Sequence, residues 1–324
     1  MGELQSIGTW WMWGGFSLFV IAMLSIDMFA LGRKCAHKVS AKEALIWSLI
    51  WFSLALLFGG ALWSWLDHTS GRAIADAKAM EYLTGYLLEK TLAMDNIFVF
   101  VMLFSYFSVP IEYQKRVLVY GVLGAIVLRA LMILLGAWLI AQFHWVLYVF
   151  GAFLLITGIK MFIFADHEPN LTQNPLLRWL RKHVRITDIY HGDKFWIVEN
   201  GVRWFTPMFL VLVLVEFSDV IFAMDSIPAI FAITSDPFIV FTSNIFAILG
   251  LRALYFLLAD MADRFHLLKY GLALVLMFVG TKMLIVEWLK IPVAVSLGVV
   301  ISVLGISILL SLKASRKQTY LGES

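Results

Sequence analysis

The chain has 324 residues, of which 61% are hydrophobic and 15% charged, and its mean hydropathy is +0.87. A soluble domain of this size needs more polar surface, and its apolar runs rarely reach about eighteen residues, so the composition indicates a polytopic membrane protein. The net charge of +3 is too small to suggest nucleic-acid binding, and the single cysteine, Cys35, excludes an intrachain disulfide framework and a cysteine-based zinc site.

Nine apolar segments predict an all-α fold with about nine transmembrane helices, in a single transmembrane domain over residues 1–324. The segments cover residues 10–31, 44–66, 82–108, 116–141, 145–165, 206–232, 238–259, 267–288 and 292–312. The connections are short except for 166–205. We interpret that stretch as a solvated loop with a short amphipathic helix near 176–184, the alternative being a regulatory or partner-binding segment.

Lysine and arginine are unevenly distributed between the two sets of loops. Most lie in 32–43, 110–115, 166–205, 260–266 and the tail 313–324, whereas the opposite loops hold little beyond Arg72, Lys78 and Lys290. Cytoplasmic loops of membrane proteins carry the excess of Lys and Arg. We therefore expect the N-terminus outside, with the 166–205 loop and the tail in the cytoplasm.

Residues 82–165 and 206–288 share landmarks in the same order. LRALM at 128–132 matches LRALY at 251–255, and ITGIKM at 156–161 matches FVGTKM at 278–283. Two acids six residues apart precede these motifs in each segment: Glu89 and Asp95, then Asp219 and Asp225. Each segment holds three spans, an odd number, so the second copy enters the membrane from the opposite side. This arrangement is an inverted-topology repeat, which in transporters places a binding site near the midplane.

Ionisable side chains inside the spans are the candidates for that site, because each costs at least about 2.5–3.5 kcal/mol at the bilayer centre. We expect the metal ligands to be Glu89, Asp95, Asn96, Glu216, Asp219, Asp225 and Ser226. Lys90, Arg129 and Arg252 are expected to balance their charge. Five acids against three bases leave two negative charges, which suits a divalent cation. Such oxygen donors favour Mg²⁺, Ca²⁺ or Mn²⁺ over thiolate-seeking metals.

The helices that carry these acids raise two further expectations. At about 100° per residue, Glu89 and Asn96 share one helix face, as do Asp219 and Ser226. The other acids point elsewhere, and Pro228 weakens the second helix. We therefore expect the third and sixth spans to be kinked or unwound around residues 93–97 and 223–227. The arginines could instead lock the bundle as ion pairs, for instance Arg129 with Asp225 and Arg252 with Asp95.

The chain closely resembles the TerC family of integral membrane proteins, and within it the bacterial Alx-type members. The resemblance is carried by LTGYLLEKTLAMDNIFVFVMLFSYFSVP at 83–110, RVLVYGVLGAIVLRALMI at 116–133, LVEFSDVIFAMDSIPAIFAIT at 214–234 and DPFIVFTSNIFAILGLRALYFLL at 236–258. It implies a multi-pass protein of the bacterial inner membrane that exports divalent metal, chiefly Mn²⁺, and is related to exporters of the LysE superfamily. The family name reflects an association with tellurium resistance.

Other functions remain as alternatives to metal export. A non-transporting scaffold or a tellurium-resistance factor is one, although an oxyanion would favour net positive charge at mid-depth. An intramembrane aspartyl protease is disfavoured, because FAM precedes Asp225 where a GxGD motif is needed.

We expect no enzymatic activity, no permanently bound cofactor and no nucleic-acid partner. The expected partners are the divalent metal substrate and the lipid bilayer. Proton exchange would fit coupling at buried acids, and the oligomeric state stays open.

Overall fold

The structure is a computed structural model that describes residues 6–32, 41–143, 145–163, 175–187, 189–199, 201–258, 267–289 and 291–322. Its described part contains eleven α-helices and one two-stranded hairpin. The elements are α1 Trp10–Gly32, α2 Ala41–Ser70, α3 Arg72–Tyr106, α4 Ile111–Gln142, α5 Val146–Ile163, α6 Pro175–His183, β1 Trp196–Glu199, β2 Val202–Phe205, α7 Pro207–Phe231, α8 Pro237–Leu249, α9 Leu251–Leu258, α10 Leu268–Leu284 and α11 Val293–Gly322.

The helices confirm a predominantly α-helical, multi-pass membrane protein. Within the described ranges, six helical segments are long and apolar enough to cross a membrane, in α2, α4, α5, α7, α8 with α9, and α11. The other three expected spans coincide with α1, α3 and α10. The apolar part of α1 covers Trp10–Ile26, α10 has 17 residues, and α3 carries too many charges for the same criterion. Nine transmembrane helices therefore stay a prediction.

The bundle packs around α8. Of the apolar span Pro237–Leu257, 94% is buried inside the protein, whereas only 22% of the spans in α2, α5 and α11 is buried. α3 packs against α7 and α8, α4 against the same two helices, and α5 mainly against α10. These pairs map onto one another when the two predicted copies are exchanged, because α3–α8 becomes α7–α4 and α5–α10 maps onto itself.

The contacts of two glycines at the crossing of α5 and α10 are also related by exchanging the two copies. A Cβ on Gly158 would lie 2.9 Å from the carbonyl oxygen of Ala273 and 2.9 Å from the amide nitrogen of Met277. A Cβ on Gly280 would lie 2.7 Å from the carbonyl oxygen of Gly151 and 2.6 Å from the amide nitrogen of Leu155. Each residue of the second contact lies 122 positions from its counterpart in the first. The two copies thus contact each other reciprocally at this crossing, and their opposite orientation in the membrane stays a prediction.

Both helices that carry the acid motifs are continuous, so of the two expectations the unwound backbone is wrong and a kink stays a prediction. α3 is helical through 93–97, and α7 through 223–227. Pro228 has no N–H to donate to the Met224 carbonyl oxygen, so one hydrogen bond across the motif is missing, but α7 continues as a helix to Phe231. The length of α3 is accommodated by its charged first turns, which are exposed and extend beyond the apolar part of the helix.

The connection between α5 and α7 contains the predicted amphipathic helix as α6, and residues 164–174 lie outside the described part. The hairpin β1–β2 was not predicted. It pairs Trp196 with Phe205 and Glu199 with Val202 in antiparallel register, and Gly201 has a positive φ of 74°. At the other end of the chain, α11 continues to Gly322, so residues 313–322 of the expected tail are helical.

Candidate functional site: a buried guanidinium between acids of α3 and α7

Arg129 on α4 lies at the centre of the candidate site. It is 1% exposed and forms ion pairs with Glu89 of α3 and Asp219 of α7. To Asp219 it donates two hydrogen bonds, Nη2 to Oδ1 at 2.8 Å and Nε to Oδ2 at 3.2 Å. Two carboxylates share one guanidinium, so the three side chains carry a net negative charge when all are ionised.

An amide and a hydroxyl complete this group. The Asn96 Nδ2 donates to the Asp219 Oδ1 at 3.4 Å, and the Arg129 Nη1 donates to the Ser226 Oγ at 3.5 Å. The Asn96 Oδ1 is buried and has no hydrogen-bond partner among the described residues. Glu89 with Asn96 and Asp219 with Ser226 were each predicted to share a helix face, and the structure brings these four side chains together around Arg129. We call these five side chains the acid cluster.

The other two acids of α7 lie at different heights. With a rise of about 1.5 Å per residue, Glu216 and Asp225 lie about 4.5 Å and 9 Å along the axis from Asp219. The Glu216 carboxylate lies against Gly124 of α4, where an added Cβ would be 2.1 Å from its Oε1. The Glu216 Oε2 and the Asp225 Oδ1 are buried without a hydrogen-bond partner in the described part of the chain. The acids of α7 thus lie at three successive heights and, at about 100° per residue, on different faces of the helix.

Within the side chains that the structure describes, the expected ligands do not form a closed metal cage. Among the residues that the structure describes, no three His, Cys, Asp or Glu side chains lie close enough together to hold a metal ion. The side chain of Asp95 lies outside the described residues, although its backbone belongs to α3. The set of metal ligands stays a prediction.

The expected charge-balancing residues have three different positions. Arg129 binds Glu89 and Asp219, so the alternative pairing with Asp225 is wrong. Lys90 turns towards α8, where its Nζ donates to the Ala247 carbonyl oxygen at 3.1 Å. Arg252 is 7% exposed and lines a separate cavity of about 20 Å³ together with Glu43 and Lys115.

Asn244 is a buried polar residue that the sequence analysis missed. It lies in α8, is fully buried, and neither its Nδ2 nor its Oδ1 has a hydrogen-bond partner among the described residues. An unpaired buried amide usually costs about 1–3 kcal/mol, which makes it a candidate for a functional role. In the sequence, the residue could have been found as an amide within the apolar run FIVFTSNIFAIL.

The sequence model of the family described as "Integral membrane protein TerC family" matches residues 74–319. The chain belongs to the TerC family. A Salmonella typhi protein named "Putative membrane-bound redox modulator Alx" is 58% identical over 95% of this chain and 96% of its own length. The protein of the same name from Escherichia coli K12 is 59% identical over 93% and 94%. A Myxococcus xanthus protein, "Uncharacterized membrane protein STKORF319", is 50% identical over 98% and 96%. No solved structure matches the chain.

Proposed function

We propose that this protein exports divalent metal cations, Mn²⁺ before other hard divalent ions, along the acids of α3 and α7. The observation that carries the proposal is the placement of Glu89, Asp219, Glu216 and Asp225 inside the bundle with Arg129 as the one cation bonded to the cluster within the described residues. Oxygen donors of this kind fit any hard divalent ion. The preference for manganese rests on the resemblance to the TerC family.

Arg129 supports this proposal as a built-in counter-ion. Without it, keeping Glu89 and Asp219 ionised inside the bundle would cost several kcal/mol for each carboxylate. A divalent cation that approaches Asp219 repels the guanidinium of Arg129. It can then bind the Asp219 carboxylate oxygens in place of Arg129. Binding and release would then exchange one cation for another at the same acids, and the protein interior would not have to hold uncompensated charge at either stage.

Acids at three successive heights of α7 suit transport better than storage, although they do not share one helix face. An ion must bind well enough to enter the pathway and weakly enough to leave it, and several adjacent sites of moderate affinity satisfy both needs. With α7 running outward, as the loop charges predict, Glu216 lies nearest the cytoplasm, then Asp219, then Asp225. Protons that replace the metal on these carboxylates would supply the exchange, because metal binding requires deprotonated ligands.

The alternatives have less support. A scaffold would not need buried carboxylates, since apolar residues of similar volume usually pack at lower cost. The relatives' name refers to redox modulation. The printed sequence has a single cysteine, Cys35, which lies outside the described residues, so a thiol–disulfide pair would require a second cysteine from another molecule.

Manganese content of cells tests the proposal. Cells that express Asp225→Asn at the parental level should retain more manganese under metal load than cells with the parental protein. Glu199→Gln removes an exposed carboxylate on β1 and is the matched control. If the parental protein does not lower cell manganese, or if Asp225→Asn lowers it equally well, the proposed route is wrong.

A further inference from the structure

A second cavity lies away from the acid cluster, beneath α6. Its volume is about 500 Å³, and its lining combines polar and apolar side chains, including Tyr106, Arg181, Val184, Thr187 and Leu210. This volume is in the range of small-molecule and cofactor pockets, about 300–1,000 Å³. Because α3 ends at Tyr106 and α7 begins at Pro207, the cavity lies at the level where two helices of the bundle end.

The walls of the cavity are fixed to the bundle by several contacts. Leu177 and Leu180 of α6 are buried in the apolar cluster that contains the first turns of α7. The Tyr190 hydroxyl donates to the Phe107 carbonyl oxygen at 2.6 Å. Burial raises the pKa of the Tyr190 hydroxyl. An ion pair between Arg116 and Asp193 ties the following loop to α4.

The segment above the cavity is basic. Four cationic or titratable residues lie in α6 and one follows it: Arg178, Arg181, Lys182, His183 and Arg185. Arg181 is exposed, lines the cavity and has no hydrogen bond or ion pair within the part of the chain that the structure describes. A basic pocket beside helix ends on the cytoplasmic side is typical of sites for anionic lipid headgroups.

Aromatic side chains place this segment at the membrane surface. Trp179 is 55% exposed and stacks on His183, and Trp196 of β1 is 53% exposed. Exposed tryptophans beside helix ends are typical of the headgroup level of a bilayer. The predicted topology assigns this face to the cytoplasm, where anionic lipids attract basic segments.

We propose that the cavity beneath α6 binds the phosphate group of an anionic phospholipid, with Arg181 as its charged contact. Tyr106 lies in the same lining and has a hydroxyl that can donate to the phosphate, whereas the Thr187 hydroxyl already donates to the Ile189 carbonyl oxygen. Val184 and Leu210 cover the glycerol and the first acyl carbons. Free phosphate shares the chemistry of the headgroup, but the apolar side chains in the lining and the position at the helix ends favour the lipid. This site is independent of the proposed metal route.

Native mass spectrometry of the purified full chain tests the site. Phosphatidylglycerol is titrated against the parental protein, Arg181→Gln and Arg203→Gln, and the retained lipid is counted. Removal of a charged hydrogen-bond donor should weaken phosphatidylglycerol binding about tenfold in Arg181→Gln, and Arg181→Lys should recover part of it. Arg203→Gln removes the same charge from β2, outside the cavity lining, and should bind like the parent.

Two further ligands separate the possible sources of the phosphate group. Phosphatidylcholine, whose choline cation offsets the charge of its phosphate, should bind more weakly than phosphatidylglycerol and should lose less affinity in Arg181→Gln. Inorganic phosphate should not displace phosphatidylglycerol. Equal binding of phosphatidylglycerol by all variants overturns the site, and displacement by inorganic phosphate at equal concentration overturns the assignment to a lipid.

Discussion

The residues around Arg129 show how a charged site can persist inside an apolar bundle. One guanidinium balances part of the negative charge of two carboxylates. Glu216 and Asp225 each have a buried oxygen without a hydrogen-bond partner in the described part. Residues seven apart share a helix face, so the sequence predicted that Glu89 would accompany Asn96. The partner of Arg129 could not be predicted, because periodicity within one helix does not define its rotation against another. Lys90 follows Glu89 by about 100° and therefore contacts a different helix, α8.

Arg129→Leu should destabilise the protein. Removal of one partner from a buried ion pair usually costs about 3–5 kcal/mol, because the remaining charges have no compensation. Thermal unfolding in detergent should show a lower Tm than the parent, whereas Arg203→Leu on the hairpin should not.

A triple variant separates this structural effect from transport. Arg129→Leu combined with Glu89→Gln and Asp219→Asn has no uncompensated charge in the cluster, so its Tm should recover while transport stays lost. A parental Tm in Arg129→Leu alone would contradict the assigned ion pairs.

Gly124→Ala should impair metal binding without unfolding the protein. The new methyl group would lie 2.1 Å from the Glu216 Oε1, and that carboxylate is the flexible end of its side chain and can move. Changes that displace a metal ligand from outside usually reduce metal affinity about 10–100-fold. Gly305→Ala, where nothing lies within 4 Å, is the control. Titration of both variants with Mn²⁺ should show the difference, and equal affinities would remove Glu216 from the route.

The positions of the helices could be predicted from the sequence, whereas the continuity of α7 and the presence of the hairpin were not. The long apolar runs and the amphipathic α6 were predictable from periodicity and composition. The hairpin had a signal that the analysis missed, the pair Asn200–Gly201 between two short runs, which is typical of a tight hairpin turn. Unwinding of α7 was wrongly expected, because a proline removes one hydrogen bond without necessarily ending the helix, and α7 continues for three residues beyond Pro228.

The crossing of α5 and α10 gives the element-scale test of the repeat. Gly158→Ala and Gly280→Ala each place a methyl group within 3.0 Å of backbone atoms of the facing helix, which cannot rotate away. If the two copies are equivalent, both variants should lower the Tm by similar amounts, about 1–3 kcal/mol in stability. Gly298→Ala, with open space around it, should not. A large effect of only one of the two variants would contradict the equivalence.

At the scale of the whole molecule, the chain belongs to the TerC family, as the resemblance of its sequence motifs predicted. The contacts between α3, α4, α5 and their counterparts are exchanged between the two predicted copies, whose inversion across the membrane stays a prediction. Composition and loop charge can predict such an architecture because the bilayer restricts spanning elements to a few lengths. They cannot define the helix rotations that decide which acids meet.

Topology is testable with tags. Reporters at the C-terminus and within 166–205 should both be cytoplasmic, and a reporter at the N-terminus should be external, because Lys and Arg are concentrated in the first set of loops. An external 166–205 would reverse the order of acids from cytoplasm to outside. It would also place the proposed lipid site on the other leaflet.

The most direct test of the account is the initial rate of Mn²⁺ flux in liposomes that contain the purified protein, with and without a pH gradient. Asp219→Asn leaves Arg129 paired with Glu89, so this variant should still fold. We predict saturable flux by the parent that an opposing proton gradient accelerates, loss of that flux in Asp219→Asn, and parental flux in the control Glu199→Gln. Flux by the parent no greater than in protein-free liposomes, or an undiminished rate in Asp219→Asn, would contradict the account.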